Sequence, residues 1–135
     1  MRRERGFTLI ELMVVIVILG ALVALVGPNV WKAWVDSSHA TVRMQIANFN
    51  QAIEQYVLDH RALPTTLEEL LRPSPKSSGQ PYMAGPKLPL DAWDQAYVYQ
   101  VVDAAKHEHL ISSNGDDKIA GTPDDIVWST TEGFR

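Results

Sequence analysis

The chain contains no cysteine, carries no excess of positive charge and is too short for two full domains beside an apolar segment. Without cysteine it forms no disulfide, so cysteine usage does not identify a redox compartment. The 135 residues leave room for one domain and an anchor. The formal net charge of -4 argues against nucleic acid as the main partner, since phosphate binding needs a basic surface. We also find no internal repeat, glycine-rich phosphate loop or nucleophile motif.

The most informative segment is an apolar run near the N-terminus. Phe7 to Val26 spans 20 residues, and that length crosses about 30 Å of hydrocarbon as a helix. Arginines precede the run at positions 2, 3 and 5. Such flanks stay on the cytoplasmic side, so the C-terminal part should face outward. Glu11 is the one charged residue of the run, and a carboxylate there costs roughly 2.5 kcal/mol or more unless it has a partner.

Three interpretations of this segment compete. A secretory signal peptide has a shorter apolar region followed by a small-residue cleavage site. An ordinary transmembrane anchor fits the length but leaves Glu11 unexplained. Cleavage after Gly6 would give Phe7 a free α-amino group, which could neutralise Glu11 in the same chain or in a neighbouring one. That cleavage would also lower the formal charge by two, to -6, because residues 1–6 contain three arginines and one glutamate.

Residues 5–15, Arg-Gly-Phe-Thr-Leu-Ile-Glu-Leu-Met-Val-Val, resemble the prepilin motif of type IV pilins and type II secretion pseudopilins. The resemblance implies that a prepilin peptidase cleaves after Gly6 and methylates the new N-terminus at Phe7. It also implies that Glu11 guides docking of the subunit into a growing filament. We therefore expect a leader at residues 1–6, a transmembrane and filament-core helix at 7–30, and a periplasmic globular domain at 31–135.

Apolar residues spaced by three or four predict that the helix continues past the membrane segment with one buried face. The helix should end near His60, because Pro64 follows. Pro28 permits a kink or local melting within it. Trp31 and Trp34 suit either the membrane interface or packing against protein. The predicted buried face consists of Val35, Ser38, Val42, Ile46, Phe49, Ile53 and Tyr56.

The rest of the chain predicts a short helix and a small sheet. Residues 64–71 read as the helix, where Thr65 with Glu68, or Thr66 with Glu69, has capping-box spacing. Proline, glycine and serine make residues 73–89 a loop. Strand candidates rich in valine and aromatic residues follow at 96–102, 107–111 and 125–128.

An acidic loop at residues 112–125 joins the last two strand candidates. Asp116, Asp117, Asp124 and Asp125 place four carboxylates within ten residues, and like charges so close repel one another. A hard cation such as Ca²⁺, which takes six to eight oxygen ligands, would relieve the repulsion. The loop does not fit an EF-hand, whose aspartate register and final glutamate are missing. The residues alone leave both a metal site and a solvated acidic loop open.

Residues 113–117 and 121–126 resemble the calcium loop of the major pseudopilins of type II secretion systems, and residues 63–66 and 88–93 resemble other parts of that family. The resemblance implies a bound Ca²⁺. It makes Asp117 and Asp124 side-chain ligands and Asp125 a weaker one. Backbone carbonyls near Ser112, Ser113 and Ile119 would complete the shell.

Two positions depart from the family pattern. Lys118 stands where the family usually has glycine after the first ligand aspartate, and a lysine there could weaken calcium binding. Asp94 stands where the family usually ends an Asp-Pro-Trp-Gly turn with glycine, so we expect a different turn at residues 91–94.

A membrane-anchored, metal-dependent hydrolase is the strongest enzymatic alternative. His107 and His109 are two residues apart and close in sequence to the acidic loop. Two such histidines form only a partial ligand set, and surface histidines are the commoner explanation. His39 and His60 have no recognisable partner in the sequence. We therefore interpret the protein as non-enzymatic.

Together the resemblances imply an α+β fold in which a long N-terminal helix packs on a small antiparallel sheet with a C-terminal calcium-type loop. They imply the major subunit of a type II secretion pseudopilus, a periplasmic homopolymer that drives protein export across the outer membrane. The expected partners are minor pseudopilins, the prepilin peptidase and the assembly platform of the bacterial inner membrane, which the chain spans once. A type IV pilin or minor pseudopilin for adhesion, motility or DNA uptake is the alternative, although many such pilins carry a C-terminal disulfide loop.

Overall fold

A computed structural model describes residues 8–135 of the chain. Helix α1 runs from Leu9 to His60 with Pro28 inside it, which confirms the predicted end of the helix. The chain forms two compact units, the first ending at Ser37 and the second spanning Ser38–Arg135. Gly6 and Phe7, on which the processing prediction falls, lie outside the described residues.

In the first unit, α1 exposes an apolar surface. The most apolar stretch of the helix has a mean hydropathy of 3.1, and none of that stretch is buried. The helix is therefore long and apolar enough to cross a membrane. The indole rings of Trp31 and Trp34 contact each other, with centroids 5.5 Å apart. An apolar surface of this size requires lipid or other helices to cover it, because water solvates it poorly.

In the second unit, α1 supplies the centre of the core. Val42, Ile46 and Phe49 are fully buried, and their spacing keeps them on one face of the helix. The predicted face is confirmed at these positions, and Tyr56 is half-buried. The remaining buried apolar side chains come from the rest of α1, the following segment and the sheet: Ala52, Ile53, Leu67, Leu70, Trp93, Ile111 and Ile126.

The sheet is antiparallel and contains β1 (Val98–Asp103), β2 (Glu108–Ser113), β3 (Ile126–Ser129) and β4 (Gly133–Phe134), which are hydrogen-bonded in that order. In β2, burial alternates along the strand, so that His109, Ile111 and Ser113 face the core. Ser113 is the last residue of β2, and the chain leaves the sheet there into the acidic loop.

The segment between α1 and the sheet contains two 3-10 helices, Leu67–Leu71 and Pro75–Ser77. The predicted capping box is wrong, because the N-cap residue Thr66 makes no side-chain cap bond. Glu69 instead accepts hydrogen bonds from the hydroxyls of Thr65 and Tyr56, the latter at 2.8 Å. These bonds lower the pKa of the Glu69 carboxyl, chiefly through Thr65.

Candidate functional site

A reciprocal capping box holds Glu11 at the start of α1. The backbone N–H and the hydroxyl of Thr8 donate to Glu11 Oε2 at 2.8 and 2.9 Å. In return, the backbone N–H of Glu11 donates to Thr8 Oγ1 at 3.3 Å. Such a pair satisfies N–H groups that have no partner inside the helix. The carboxylate of Glu11 therefore has a partner within its own chain.

The bond between Thr8 and Glu11 was not predicted. The predicted partner of Glu11 was the amino group of Phe7, a residue that lies outside the described residues. The Thr-x-x-Glu spacing of residues 8–11 is itself a helix-start signature and could have identified Thr8.

The acidic loop at 112–125 is closed by bonds among its own residues. The backbone N–H of Asp117 donates to Asp124 Oδ2 at 3.1 Å, and the Thr122 hydroxyl donates to Asp124 Oδ1 at 2.6 Å. Gly115 approaches so closely that a Cβ on it would lie 2.4 Å from Asp124 Oδ2. The backbone of Asp117 therefore lies against the carboxylate of Asp124, while their role as a pair of side-chain ligands stays a prediction.

The carboxylates of this loop are held by donors from its backbone and by Thr122. The hydroxyl of Thr122, followed by the backbone N–H of Asp117, lowers the pKa of Asp124, so this carboxyl is ionised at neutral pH. Asp117 Oδ1 accepts from the backbone N–H of Ile119 at 2.8 Å. Asp125 Oδ2 accepts from the backbone N–H of Gly121 at 2.7 Å, and Asp125 Oδ1 lies 3.3 Å from the Thr122 hydroxyl oxygen.

The acidic loop supplies carboxylate and backbone carbonyl oxygens, which are the ligand atoms that calcium prefers. Within residues 8–135, no group of three or more His, Cys, Asp or Glu side chains is arranged to hold a metal ion. A cation in the loop would therefore need backbone carbonyls beside Asp117 and Asp124, and calcium readily accepts such ligands. Asp125 Oδ2 accepts from the backbone N–H of Gly121, so this side chain also holds the shape of the loop.

The two departures from the family pattern share one backbone conformation. Asp94 and Lys118 both have φ of 61°, in the left-handed region that glycine enters without strain. A non-glycine residue can therefore occupy each position at some cost in strain. The different turn that we expected at residues 91–94 stays a prediction.

The histidines are dispersed among separate contacts. His109 is buried, with Nε2 3.0 Å from Asn50 Oδ1, so our interpretation of it as a surface residue was wrong. Alternation along β2 places it on the core face, beside the rings of Tyr99 and Trp128. His60 stacks on Tyr56, and His39 contacts the edge of Trp93.

Comparison with known proteins decides the family. The protein-family model described as "Type II secretion system (T2SS), protein G" matches residues 29–128. A second family model, for the prokaryotic N-terminal methylation motif, matches residues 1–27. The chain belongs to the type II secretion system protein G family. This assignment supports a secretion pseudopilin over the alternative of a type IV pilin. The methylation motif indicates processing by a prepilin peptidase.

Individual relatives agree with the family assignment. The type II secretion system core protein G of Pectobacterium carotovorum is 38% identical, over 92% of this chain and 83% of the relative. That of Escherichia coli K12 is 36% identical, over 96% of this chain and 94% of the relative. The crystal structure of the major pseudopilin from enterohaemorrhagic Escherichia coli has a TM-score of 0.53 at 22% identity. The match covers 68% of this chain and 86% of the crystallised chain, and it confirms the pseudopilin fold.

Proposed function

We propose that this pseudopilin is cleaved after Gly6, methylated at Phe7 and assembled into a periplasmic filament that drives protein export across the outer membrane. The observation that carries the proposal is the exposed apolar surface of α1 in the first unit, with Glu11 held at its start. The partners would be further copies of the chain, minor pseudopilins, the prepilin peptidase and the inner-membrane assembly platform.

The apolar surface of the first unit suits two environments in turn. As a single span of the inner membrane, it is covered by lipid, with the second unit on the periplasmic side. In a filament, the same surface is covered by the helices of neighbouring copies, because the side chains from Leu9 to Val30 are exposed. One surface thus serves as membrane anchor and filament core.

Glu11 would direct the transfer between these environments. The capping box holds its carboxylate at the helix start through Thr8, and cleavage after Gly6 would create an amino group on the preceding residue in the sequence, Phe7. A carboxylate within the membrane is costly unless an opposite charge neutralises it. The amino group of an adjacent subunit would supply that charge and fix the register between helices.

The substitution Glu11→Gln tests this role without removing the cap. Glutamine at this position also makes capping-box bonds to Thr8, so the change removes mainly the charge. We expect normal insertion and a mature N-terminus at Phe7 by mass spectrometry, but loss of filaments and of secretion. Glu68→Gln, which removes an exposed carboxylate from the second unit, is the matched control. Normal assembly of Glu11→Gln would contradict the docking role, and a different N-terminus would contradict the processing.

We also propose that the loop at 112–125 binds Ca²⁺. Asp117 and Asp124 would be the side-chain ligands, with carbonyls near Ser112, Ser113 and Ile119, and Asp125 as a weaker ligand. The ion would supply positive charge that offsets the repulsion among the loop carboxylates. The folded loop holds the backbone of Asp117 against the Asp124 carboxylate. An ion that binds only this folded arrangement would stabilise the folded protein by mass action.

Thermal unfolding of the full chain in detergent micelles tests this proposal. We expect a higher melting temperature in calcium than in chelator, and little effect of magnesium. Near-ultraviolet circular dichroism would monitor the unfolding. Lys118→Gly should enlarge the calcium effect and add about 0.5–1 kcal/mol of stability, because it removes both a nearby positive charge and the left-handed strain. Lys118→Ala removes only the charge and separates the two causes. A melting temperature that ignores calcium and chelator alike would contradict the proposal.

A further inference from the structure

A buried carboxylate lies outside the acidic loop but is bonded to its first residues. Asp91 is 6% exposed. Its Oδ1 accepts from the backbone N–H groups of Trp93 at 2.9 Å and Gln95 at 2.8 Å, which closes the turn at 91–95. Its Oδ2 accepts from the hydroxyl of Ser113 at 2.6 Å. Both ion pairs found within residues 8–135 lie elsewhere, so hydrogen bonds alone balance this charge.

Ser113 connects Asp91 to the loop. Its side chain is fully buried at the end of β2. While its hydroxyl donates to Asp91, its Oγ accepts from the backbone N–H of Gly115 at 3.3 Å. Gly115 is the residue whose backbone lies against Asp124. A continuous series of contacts therefore runs from Asp91 through Ser113 and Gly115 to a candidate calcium ligand.

A simple turn does not need a carboxylate that reaches across to another segment. An ionised carboxyl is expensive to bury unless it is fully hydrogen-bonded, and an amide could accept the two turn bonds equally well. The third bond, to Ser113, is the one that acts outside the turn. It fixes the residue whose backbone carbonyl is a proposed calcium ligand and whose Oγ orients Gly115.

We propose that Asp91 is a positioning residue for the calcium loop. Through Ser113 it holds the backbone of residues 113–115 in place, so that the loop oxygens are arranged before the ion binds. No ion pair among the described residues neutralises its charge, which therefore adds attraction for a cation. Outer residues that orient metal ligands typically affect metal affinity without touching the ion. This inference rests on the calcium binding proposed above.

Asp91→Asn and Ser113→Ala test the inference in the full chain in detergent micelles. We expect each to weaken calcium binding, measured by calorimetric titration, by about tenfold or more. Each should also reduce the rise in melting temperature that calcium causes. Because both substitutions interrupt one connection, the double variant should lose less than the sum of the single losses.

Asp103→Asn is the matched control. Asp103 Oδ1 also accepts two backbone N–H bonds in a turn, from Ala105 at 2.9 Å and Lys106 at 3.2 Å, but at the opposite end of β2 from the loop. We expect Asp103→Asn to lower the melting temperature equally in calcium and in chelator. Its calcium dissociation constant should match that of the wild type.

The outcomes separate the two proposals. A wild-type chain that neither binds calcium nor changes its melting temperature overturns the calcium site itself. If the wild type responds, but Asp91→Asn and Ser113→Ala keep the wild-type dissociation constant and lose stability equally in calcium and chelator, Asp91 has only a structural role and the inference is wrong. Should Asp91→Asn fail to fold, Ser113→Ala decides by the same two measurements, because it leaves the turn bonds of Asp91 in place.

Discussion

Gly115→Ala is expected to destabilise the second unit by about 2–5 kcal/mol. Two costs add at this position. The φ of Gly115 is +68°, and a left-handed backbone costs an L-residue about 1–2 kcal/mol. The added Cβ would also lie 2.4 Å from Asp124 Oδ2 and 2.6 Å from the backbone oxygen of Asp124. Relieving such an overlap in packed structure typically costs about 1–3 kcal/mol more.

Gly121→Ala separates the two costs. Gly121 lies in the same loop with φ of +91°, but a Cβ there would meet no atom within 4 Å. It should therefore lose only about 1–2 kcal/mol, from the backbone alone. Chemical denaturation of both full-length variants in micelles, followed by tryptophan fluorescence, measures the difference. Equal losses for the two variants would contradict the close approach of Gly115 to Asp124.

The sequence predicted those elements whose residues repeat with a regular period. The spacing of Val42, Ile46 and Phe49 fits the helical period, and these residues form the core as expected. The three longer strands were found within a few residues of their bounds. Strand β4, with two residues at Gly133–Phe134, is too short to show a period and was missed. The capping-box prediction at Thr65 and Thr66 failed because that segment forms a 3-10 helix.

Contacts between distant residues account for what the sequence could not show. Ser113 and Asp91 are 22 positions apart, and His109 and Asn50 are 59 apart. Nothing local in either segment identifies the partner, because each bond joins β2 to a distant segment: His109 bonds to α1, and Ser113 bonds to the turn at 91–95. Asn50 is polar on a largely apolar face of α1, and this was the one local sign that a polar group opposes it.

Stability of the second unit is expected to fall as the pH drops below about 6.5, because His109 is buried as the neutral ring. Asn50 Oδ1 can only accept, so Nε2 of His109 carries the proton of their 3.0 Å bond. Nδ1 lies 3.2 Å from the Thr130 hydroxyl oxygen. Burial lowers the pKa of His109, although the backbone carbonyl of His107 and the charge of Glu54 act in the opposite direction.

The direction of the pH effect follows from which state binds the proton first. In the unfolded chain, histidine titrates near 6.5, whereas the folded pKa of His109 lies below that value. Between the two values the unfolded state holds the proton and the folded state does not, so acid favours unfolding there. Each pH unit within this window costs about 1.4 kcal/mol. Above it, the contribution of His109 is constant.

Denaturant titrations of the full chain in micelles between pH 7.5 and 5 measure this decline. His109→Gln cannot titrate in this range, so it should lose much of the decline, even though removal of the packed ring lowers its stability at every pH. His107→Gln is the control, because His107 is less buried and lies in the turn before β2. A His109→Gln variant that keeps the full acid-induced loss of the wild type would show that another group causes it, and would contradict a neutral His109 in the core.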